Sequence, residues 1–148
     1  MAKKVLIVYN SLSGNTKAAA EAFAEGIKEV NGATVVLKNC YNTTADDIMN
    51  CDAVALGSYD AFSYMGGGLK DFFDRIYYST KEKIRNKPYV AFLTHGGGGK
   101  AIDSIIALAN KLGLKEAANP LLSKGKPDRE KIEELRKAGS LLAKTVII

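Results

Sequence analysis

A run of hydroxyl and amide side chains follows the first apolar segment of the chain. Residues 5–9 predict a strand, residues 11–16 read Ser-Leu-Ser-Gly-Asn-Thr, and a helical pattern follows. A helix N-terminus has unpaired N–H groups and a partial positive charge, so it attracts an anion. The polar side chains add neutral donors, and Gly14 permits close approach of the backbone. The loop therefore predicts a monophosphate cradle; the alternative is an ordinary connection in which Ser13 or Asn15 caps the helix.

The loop resembles the phosphate loop of flavodoxins, whose common form is [TS]-x-[TS]-G-N-T, and every specified position matches residues 11–16. It lacks the pattern of a nucleoside triphosphate P-loop and the G-x-G-x-x-G of a Rossmann-type dinucleotide site. The resemblance implies FMN as the cofactor. It also implies an α/β fold of the flavodoxin-like class, a doubly wound, five-stranded parallel sheet of order 2-1-3-4-5 with helices on both faces.

A second loop, after Gly57, has an unusually apolar composition for a connection that should be polar. It contains the aromatic residues Tyr59, Phe62 and Tyr64, and it ends at Met65. Flat aromatic rings and a thioether suit contact with a flavin ring. The alternative is a loop that folds onto its own hydrophobic cluster.

Residues 57–75 also resemble the tryptophan-repressor-binding-protein type of quinone reductase, which reads G-[ST]-P-T-x-F-G-N-M-x-G-x-[LM]-K-x-F-x-D-[RQ]. The matching positions are Gly57, Ser58, Phe62, Met65, Gly67, Leu69, Lys70, Phe72, Asp74 and Arg75. The departures lie where that family touches its flavin, at Tyr59, Asp60, Ser63 and Tyr64. The flavin contacts of this chain are therefore not expected to copy those of that family.

A third loop reads Thr-His-Gly-Gly-Gly-Gly at residues 94–99. Consecutive glycines cost backbone entropy, so they indicate close approach of the backbone or unusual dihedral angles; the alternative is a flexible linker. Beside a flavin they would offer N–H groups to the pyrimidine edge of the ring. His95, the single histidine, is either a loop hydrogen-bonding residue or a group that stabilises charge on the ring or gives a proton to a quinone.

Flavodoxins stabilise the one-electron state of their flavin with a peptide that turns its carbonyl toward the ring, and this turn needs a residue that tolerates positive φ. Residues 58–65 contain no glycine. The resemblance together with backbone propensity makes Asp60 the expected site of this conformation, because Asp adopts positive φ more readily than most residues.

The elements that must position these loops alternate along the chain. Predicted strands cover about 4–9, 34–38, 52–57 and 89–93, with a short last strand near Leu114. Predicted helices cover about 16–30, 44–50, 67–78 and 101–112, with a closing helix from Pro127 whose apolar face includes Ile132 and Leu135. Apolar strands without alternation indicate a parallel sheet that is buried on both faces. The loops at the carboxyl ends of its strands should converge on one ligand site.

The 148 residues predict one domain, 1–148, of ordinary globular composition, with no signal peptide, no membrane span and no metal site. Cys40 and Cys51 lack metal-ligand spacing and read as small, partly buried residues, so a reducing, cytoplasmic location is expected. The predicted cofactor-binding residues are Ser11, Leu12, Ser13, Gly14, Asn15, Thr16, Ser58, Tyr59, Asp60, Ala61, Phe62, Ser63, Tyr64, Met65, Thr94, His95, Gly96, Gly97, Gly98 and Gly99.

Two functions of different classes follow. The first is an FMN-binding electron carrier that shuttles electrons between redox partner proteins; the second is an NAD(P)H-dependent quinone or FMN reductase of the same fold. The chain has little sequence left for a nicotinamide site, which favours the carrier. A binding module without flavin is a third reading. A phosphorylation-receiver domain is excluded, because Tyr9 and Asn10 stand where acidic residues are needed.

The charge of the chain is uneven. Residues 1–74 hold six basic and nine acidic residues, whereas residues 75–148 hold fifteen basic and seven acidic residues. If part of the positive charge lies near the flavin, acidic, ferredoxin-like partners are expected to dock faster than basic ones. No basic motif interleaved with aromatic residues predicts nucleic-acid binding. A monomer or weak homo-oligomer is expected.

Overall fold

The structure is a computed structural model that describes residues 2–147 and has the alternating strands and helices expected. The strands are β1 (Lys3–Tyr9), β2 (Ala33–Asn39), β3 (Ala53–Ala61), β4 (Tyr64–Met65), β5 (Pro88–His95), β6 (Lys115–Glu116) and β7 (Leu121–Lys124). The helices are α1 (Asn15–Lys28), α2 (Ala45–Asn50), α3 (Gly67–Thr80), α4 (Ile102–Lys111) and α5 (Arg129–Val146). Met1 and Ile148, the ends of the predicted domain, lie outside the described residues.

The parallel strands follow the predicted order 2-1-3-4-5 when the short antiparallel strand β4 is left out of the count. β1 lies between β2 and β3, β5 pairs with β3, and the two short strands β6 and β7 share the position beyond β5. The register aligns Tyr9 with Gly57 and Tyr59 with Thr94, so β1, β3 and β5 end at the same side of the sheet. We call this side the carboxyl edge.

Successive side chains of the central strands enter two separate cores. Val5 and Ile7 of β1 pack with α1 and α5 on one face, whereas Leu6 and Val8 pack with α3 and α4 on the other. The four side chains are at most 1% exposed. Burial on both faces explains why these strands read as continuous apolar runs rather than as alternating ones. It also holds the strands rigidly beneath the loops of the carboxyl edge.

Two glycines let α1 and α5 pack with their backbones in contact. A Cβ atom on Gly26 would overlap the backbone carbonyl of Arg136, and a Cβ atom on Gly139 would overlap the carbonyl of Phe23. Each glycine therefore accommodates the backbone of the opposite helix. This close approach buries Phe23 completely and stacks its ring on Phe92 of β5, with centroids 5.9 Å apart.

The second predicted loop is partly a β-hairpin. β3 continues to Ala61, and Tyr64 returns antiparallel to it. The connecting residues, Phe62 and Ser63, have φ values of 56° and 68°. Two residues of positive φ are the requirement of a type I′ turn, the turn that matches the twist of a hairpin. Asp60 does not have positive φ, so the expectation for that residue was wrong.

The short strand expected near Leu114 is present as β6, which begins at Lys115. A longer strand, β7, follows several residues further along the chain and was not predicted. The intervening segment contains Pro120, and this residue cannot donate a sheet hydrogen bond. In α5, Leu135 is buried as predicted, whereas Ile132 is exposed.

Both cysteines are unpaired and buried beneath the helices. Burial is the main cause that raises the pKa of the Cys40 thiol and of the Cys51 thiol to about 11, from an ordinary value of 9.0. The fold therefore disfavours the thiolates. The free energy of unfolding is unaffected by these groups below pH 9 and decreases as pH rises toward 11, because only the unfolded thiols ionise in that window.

We expect the native protein to react slowly with a maleimide at pH 8, because neither thiol is accessible or ionised. Both thiols should react at once in a denaturant. A Ser140→Cys variant, which adds a thiol on the surface of α5, controls for reagent quality. Rapid labelling of the unmodified native protein would contradict the burial of the cysteines.

Gly26→Ala should lower the free energy of unfolding by about 2–3 kcal/mol, because the added methyl group forces α1 away from α5. Gly67→Ala is the matched control: its Cβ would meet no atom within 4 Å, so the substitution should be neutral or stabilise by up to about 1 kcal/mol. Both values come from urea denaturation. Equal effects of the two substitutions would show that the helix contact is not close.

Candidate cofactor site at the carboxyl edge

The first loop leads into α1, and the N-terminus of this helix has backbone N–H groups without acceptors among the described residues. Gly14 precedes the helix at φ 102°, a conformation that other residues adopt only with strain. Ser11 Oγ accepts from the N–H groups of Gly14 and Lys17, at 3.1 and 3.2 Å. Within residues 2–147, the N–H groups of Asn15 and Thr16 donate to no acceptor, and the N-cap residue Gly14 has no side chain to satisfy them.

This arrangement decides between the two readings of the loop. Neither Ser13 nor Asn15 caps α1, so the ordinary strand-to-helix connection is not what the structure contains. Ser11 instead braces the loop from inside. The two free N–H groups and the exposed Ser13 hydroxyl are left for an acceptor from outside the protein, as an anion cradle requires.

A buried hydroxyl pair connects the first loop to the third. Thr16 Oγ1 and Thr94 Oγ1 lie 2.7 Å apart, and their side chains are 1% and 3% exposed. Two buried hydroxyls satisfy each other here, and this avoids the cost of an unpaired polar group. Thr16 therefore holds the start of α1 against the end of β5, and its side chain faces inward.

Asp60 holds the hairpin in place. Its Oδ1 accepts from the N–H of Ser63 at 2.8 Å, and its Oδ2 accepts from the N–H of Ala101 at 3.4 Å. Ser104 Oγ accepts from the N–H of Met65 at 3.0 Å, so the start of α4 is tied to both strands of the hairpin. These hydrogen bonds fix the position of the hairpin and of the aromatic residue at its tip.

Beneath the hairpin, polar side chains organise the turn into α3. Ser58 Oγ accepts from the N–H of Gly66 at 2.7 Å, and Asn10 Oδ1 accepts from the N–H of Leu69 at 3.1 Å. A Cβ atom on Gly66 would clash with Asn10 and with the ring of Tyr59. Burial is the main cause that raises the pKa of the Tyr59 phenol, so this hydroxyl stays protonated and can donate a hydrogen bond.

His95 is the half-buried last residue of β5. Its Nδ1 is buried and has no hydrogen-bond partner within the described part of the chain. A Cβ atom on Gly99 would clash with Leu122 Cδ2 and would lie 3.4 Å from the imidazole ring, so this glycine makes room mainly for Leu122 beside His95. Gly98 and Gly99 have φ values of 88° and 68°, so half of the glycine run is required by backbone conformation.

One cavity of about 190 Å³ joins the three loops. Its lining residues are Ser13, Asn15, Tyr59, Asp60, Thr94, His95, Gly96 and Gly125. The predicted convergence of the loops is therefore confirmed in geometry. Gly125 belongs to a fourth loop that sequence reasoning missed because β7 was not predicted. Its N–H donates to the carbonyl of His95 at 2.8 Å.

The other predicted residues occupy different positions around this cavity. Met65 is buried in the core, and Gly99 is buried behind His95. The side chains of Leu12, Phe62 and Tyr64 are exposed at its rim and do not line it. The remaining predicted residues that do not line it are Ser11, Gly14, Thr16, Ser58, Ala61, Ser63, Gly97 and Gly98.

Other features of the surface do not compete with this cavity as a cofactor site. A larger apolar groove of about 260 Å³ lies between α3 and α4, lined by Phe73, Tyr77 and Leu108 among others, but no loop of the carboxyl edge reaches it. Over residues 2–147 no three His, Cys, Asp or Glu side chains cluster as a metal site would require. No helix in that range is long and apolar enough to cross a membrane.

Comparison with known proteins agrees with this geometry. The family model described as "Flavodoxin" matches residues 7–139. A flavodoxin of Aquifex aeolicus is 35% identical over 96 residues, which are 65% of this chain and 52% of that protein. An NAD(P)H dehydrogenase (quinone) of Geotalea daltonii is 35% identical over 95 residues, 48% of this chain and 46% of that protein. The chain thus spans about half the length of these relatives.

A solved structure extends the match to the whole fold. The structure of a flavodoxin from the domain Archaea superposes with a TM-score of 0.89 at 29% identity, covering 97% of this chain and 98% of the other. The family match, the strand order and the cradle at the N-terminus of α1 point the same way. The chain belongs to the flavodoxin family, whose members bind FMN and transfer electrons between proteins.

Proposed function

We propose that this chain is an electron carrier that binds FMN at the carboxyl edge, with the phosphate on residues 11–16 and the flavin between the hairpin and residues 94–99. The observation that carries the proposal is the pair of unpaired N–H groups of Asn15 and Thr16 at the start of α1, where Ser13 and Asn15 line a cavity shared by all three loops. The loop has free N–H donors but contains no lysine or arginine, so neutral groups would hold the phosphate.

In this proposal different residues of the chain bind different parts of FMN. The Ser13 hydroxyl and the free N–H groups donate hydrogen bonds to the phosphate. The aromatic hairpin covers the ring and limits access of water to it. The backbone of Gly96 and Gly97, which is exposed beside the cavity, offers N–H groups to the pyrimidine edge. When bound, FMN supplies the one- and two-electron chemistry that the protein side chains lack.

His95 is the candidate for a proton-related role. Its unpartnered Nδ1 and its position on the cavity wall support this role, because a buried ring nitrogen requires an acceptor or a donor from a ligand. In a carrier, an imidazolium would stabilise negative charge on the reduced cofactor. In a reductase, the same group would hold the proton that a quinone takes up.

The reductase is the second candidate function, and the match to the Geotalea protein favours it. The two functions differ in the electron source. The test is stopped-flow reduction of the FMN-loaded protein by NADPH and by a reduced ferredoxin-type protein. Faster reduction by the protein donor supports the carrier, whereas steady oxidation of NADPH in the presence of a quinone would establish the reductase and overturn the carrier.

The proposal also covers the partners, the location and the oligomeric state of the carrier. Its partners are redox proteins, acidic and ferredoxin-like ones among them, in line with the excess of basic residues in the second half of the chain. The unpaired thiols support a cytoplasmic location. Residues 1–148 act as one FMN-binding domain, as a monomer or weak homo-oligomer.

The phosphate cradle is tested by comparing FMN with riboflavin. FMN should bind much more tightly, because each charge-assisted hydrogen bond to the phosphate contributes roughly 1.5–3 kcal/mol. Ser13→Ala should weaken FMN at least several-fold and leave riboflavin unchanged, whereas Ser140→Ala on α5 should change neither. Fluorescence quenching gives both affinities. Equal affinities for the two flavins would refute the cradle.

Ser63→Gly tests the strained hairpin. Glycine adopts positive φ without strain, so the variant should be more stable by about 1 kcal/mol, and the hydrogen bond from residue 63 to Asp60 is kept. The gap between the two reduction potentials of the FMN-loaded protein should also change, because the hairpin peptide gains freedom to turn. Asn86→Gly relaxes a positive φ far from the site and should change stability alone. If both variants leave the potentials unaltered, the hairpin does not control them.

A further inference from the structure

The fourth loop brings unpaired positive charge to the cavity. Gly125 lines the cavity, and exposed lysines flank it on both sides, at Lys124 and Lys126. The loop is held in place, because Gly125 N–H donates to the carbonyl of His95 and Ser123 Oγ donates to the carbonyl of Gly125 at 3.3 Å. These two lysines therefore stand at a defined place on the cavity rim.

A third lysine joins them from the glycine-rich loop. Lys100 is exposed and directly precedes Ala101, whose N–H donates to Asp60 on the cavity wall. We call Lys100, Lys124 and Lys126 the basic rim. In the part of the chain that the structure describes, none of the three forms an ion pair.

The neighbouring carboxylates keep their negative charge but form no ion pair with the lysines of the basic rim among the described residues. Asp60 accepts from two backbone N–H groups, and Asp128 accepts from the N–H of Lys131 at the start of α5. Asp103, in the first turn of α4, is exposed and pairs with none of the three lysines. The three rim lysines are thus exposed and unpaired among residues 2–147, on loops that border the cavity.

Apolar side chains complete the surface on the same edge. Leu12 is 80% exposed, and Phe62 is fully exposed at the hairpin tip. Neither lines the cavity. Exposed apolar residues together with charged ones are the usual composition of a protein interface. Positive charge at its border selects a negatively charged partner.

We infer that the basic rim is the docking surface for an acidic iron–sulfur electron donor, an inference that rests on the proposed carrier function. On docking, one electron leaves the iron–sulfur centre of the donor and enters the bound flavin. The three lysines act by orienting the donor before contact, so they determine the association rate rather than the chemistry. The other end of the molecule also carries exposed lysines, so the position of the rim lysines, and not the total charge of the protein, orients the donor.

The test compares two triple variants of equal net charge. One is Lys100→Gln, Lys124→Gln, Lys126→Gln at the rim; the other is Lys83→Gln, Lys111→Gln, Lys115→Gln at the opposite edge of the sheet, where these lysines are exposed and unpaired among residues 2–147. The readout is the second-order rate of electron transfer from a reduced acidic ferredoxin. At an ionic strength of about 10 mM the rim variant should be about five- to tenfold slower, and the control within about twofold of the unmodified protein.

Salt and a direct binding measurement sharpen the result. The advantage of the unmodified protein over the rim variant should disappear near 0.3 M salt, where screening acts over only about 5 Å. Calorimetry with the oxidised, FMN-loaded protein should show weaker binding of the oxidised ferredoxin to the rim variant alone. A basic donor of similar potential should be slower than the acidic one at low salt.

The outcomes separate this inference from the function on which it rests. Failure of the unmodified protein to bind FMN in a fluorescence titration would overturn the carrier, whatever the docking data show. If FMN binds with equal affinity to all three proteins but the rim and control variants have the same rate and the same salt dependence, the docking surface lies elsewhere. A basic donor that reacts as fast as the acidic one would overturn the choice of partner.

Discussion

The parallel alignment of β1, β3 and β5 is the constraint on which the rest of the structure depends. These strands are buried on both faces, so the loops that connect them to the helices lie at the two ends of the strands. Because the strands run in the same direction, all their carboxyl ends lie together. Three loops with little in common in sequence are thereby brought around a single cavity.

Backbone groups and short polar side chains then assemble the site, and among the described residues no ion pair involves a side chain that lines the cavity. Ser11, Asn10 and Ser58 each accept a backbone N–H that the turns leave unpaired, and the hydroxyls of Thr16 and Thr94 satisfy each other. Neutral contacts of this kind leave the free donors of α1 as the main attraction for an anion. They also leave the surface charge free to act on partners.

The hairpin shows where the chain departs from low-energy backbone conformations. Phe62 and Ser63 hold positive φ without being glycine or asparagine, and Asp60 and Ser104 brace the structure around them. Strain that is held by surrounding hydrogen bonds is typical of functional sites. Here it projects an aromatic side chain into solvent beside the cavity, where a flavin or a partner protein would cover it.

Local patterns in the sequence determined the features that depend on near neighbours. The strand–loop–helix of residues 3–28, the short helix expected at about 44–50, and the apolar runs of the sheet follow from short-range propensity and burial, and the structure contains all of them. Only the tertiary structure decided the rest. The split last strand depends on pairing with β5 across a long separation, the positive φ at Phe62 instead of Asp60 depends on hairpin register, and the place of Gly125 depends on both. Such pairings arise from contacts between distant segments, and no local pattern encodes them.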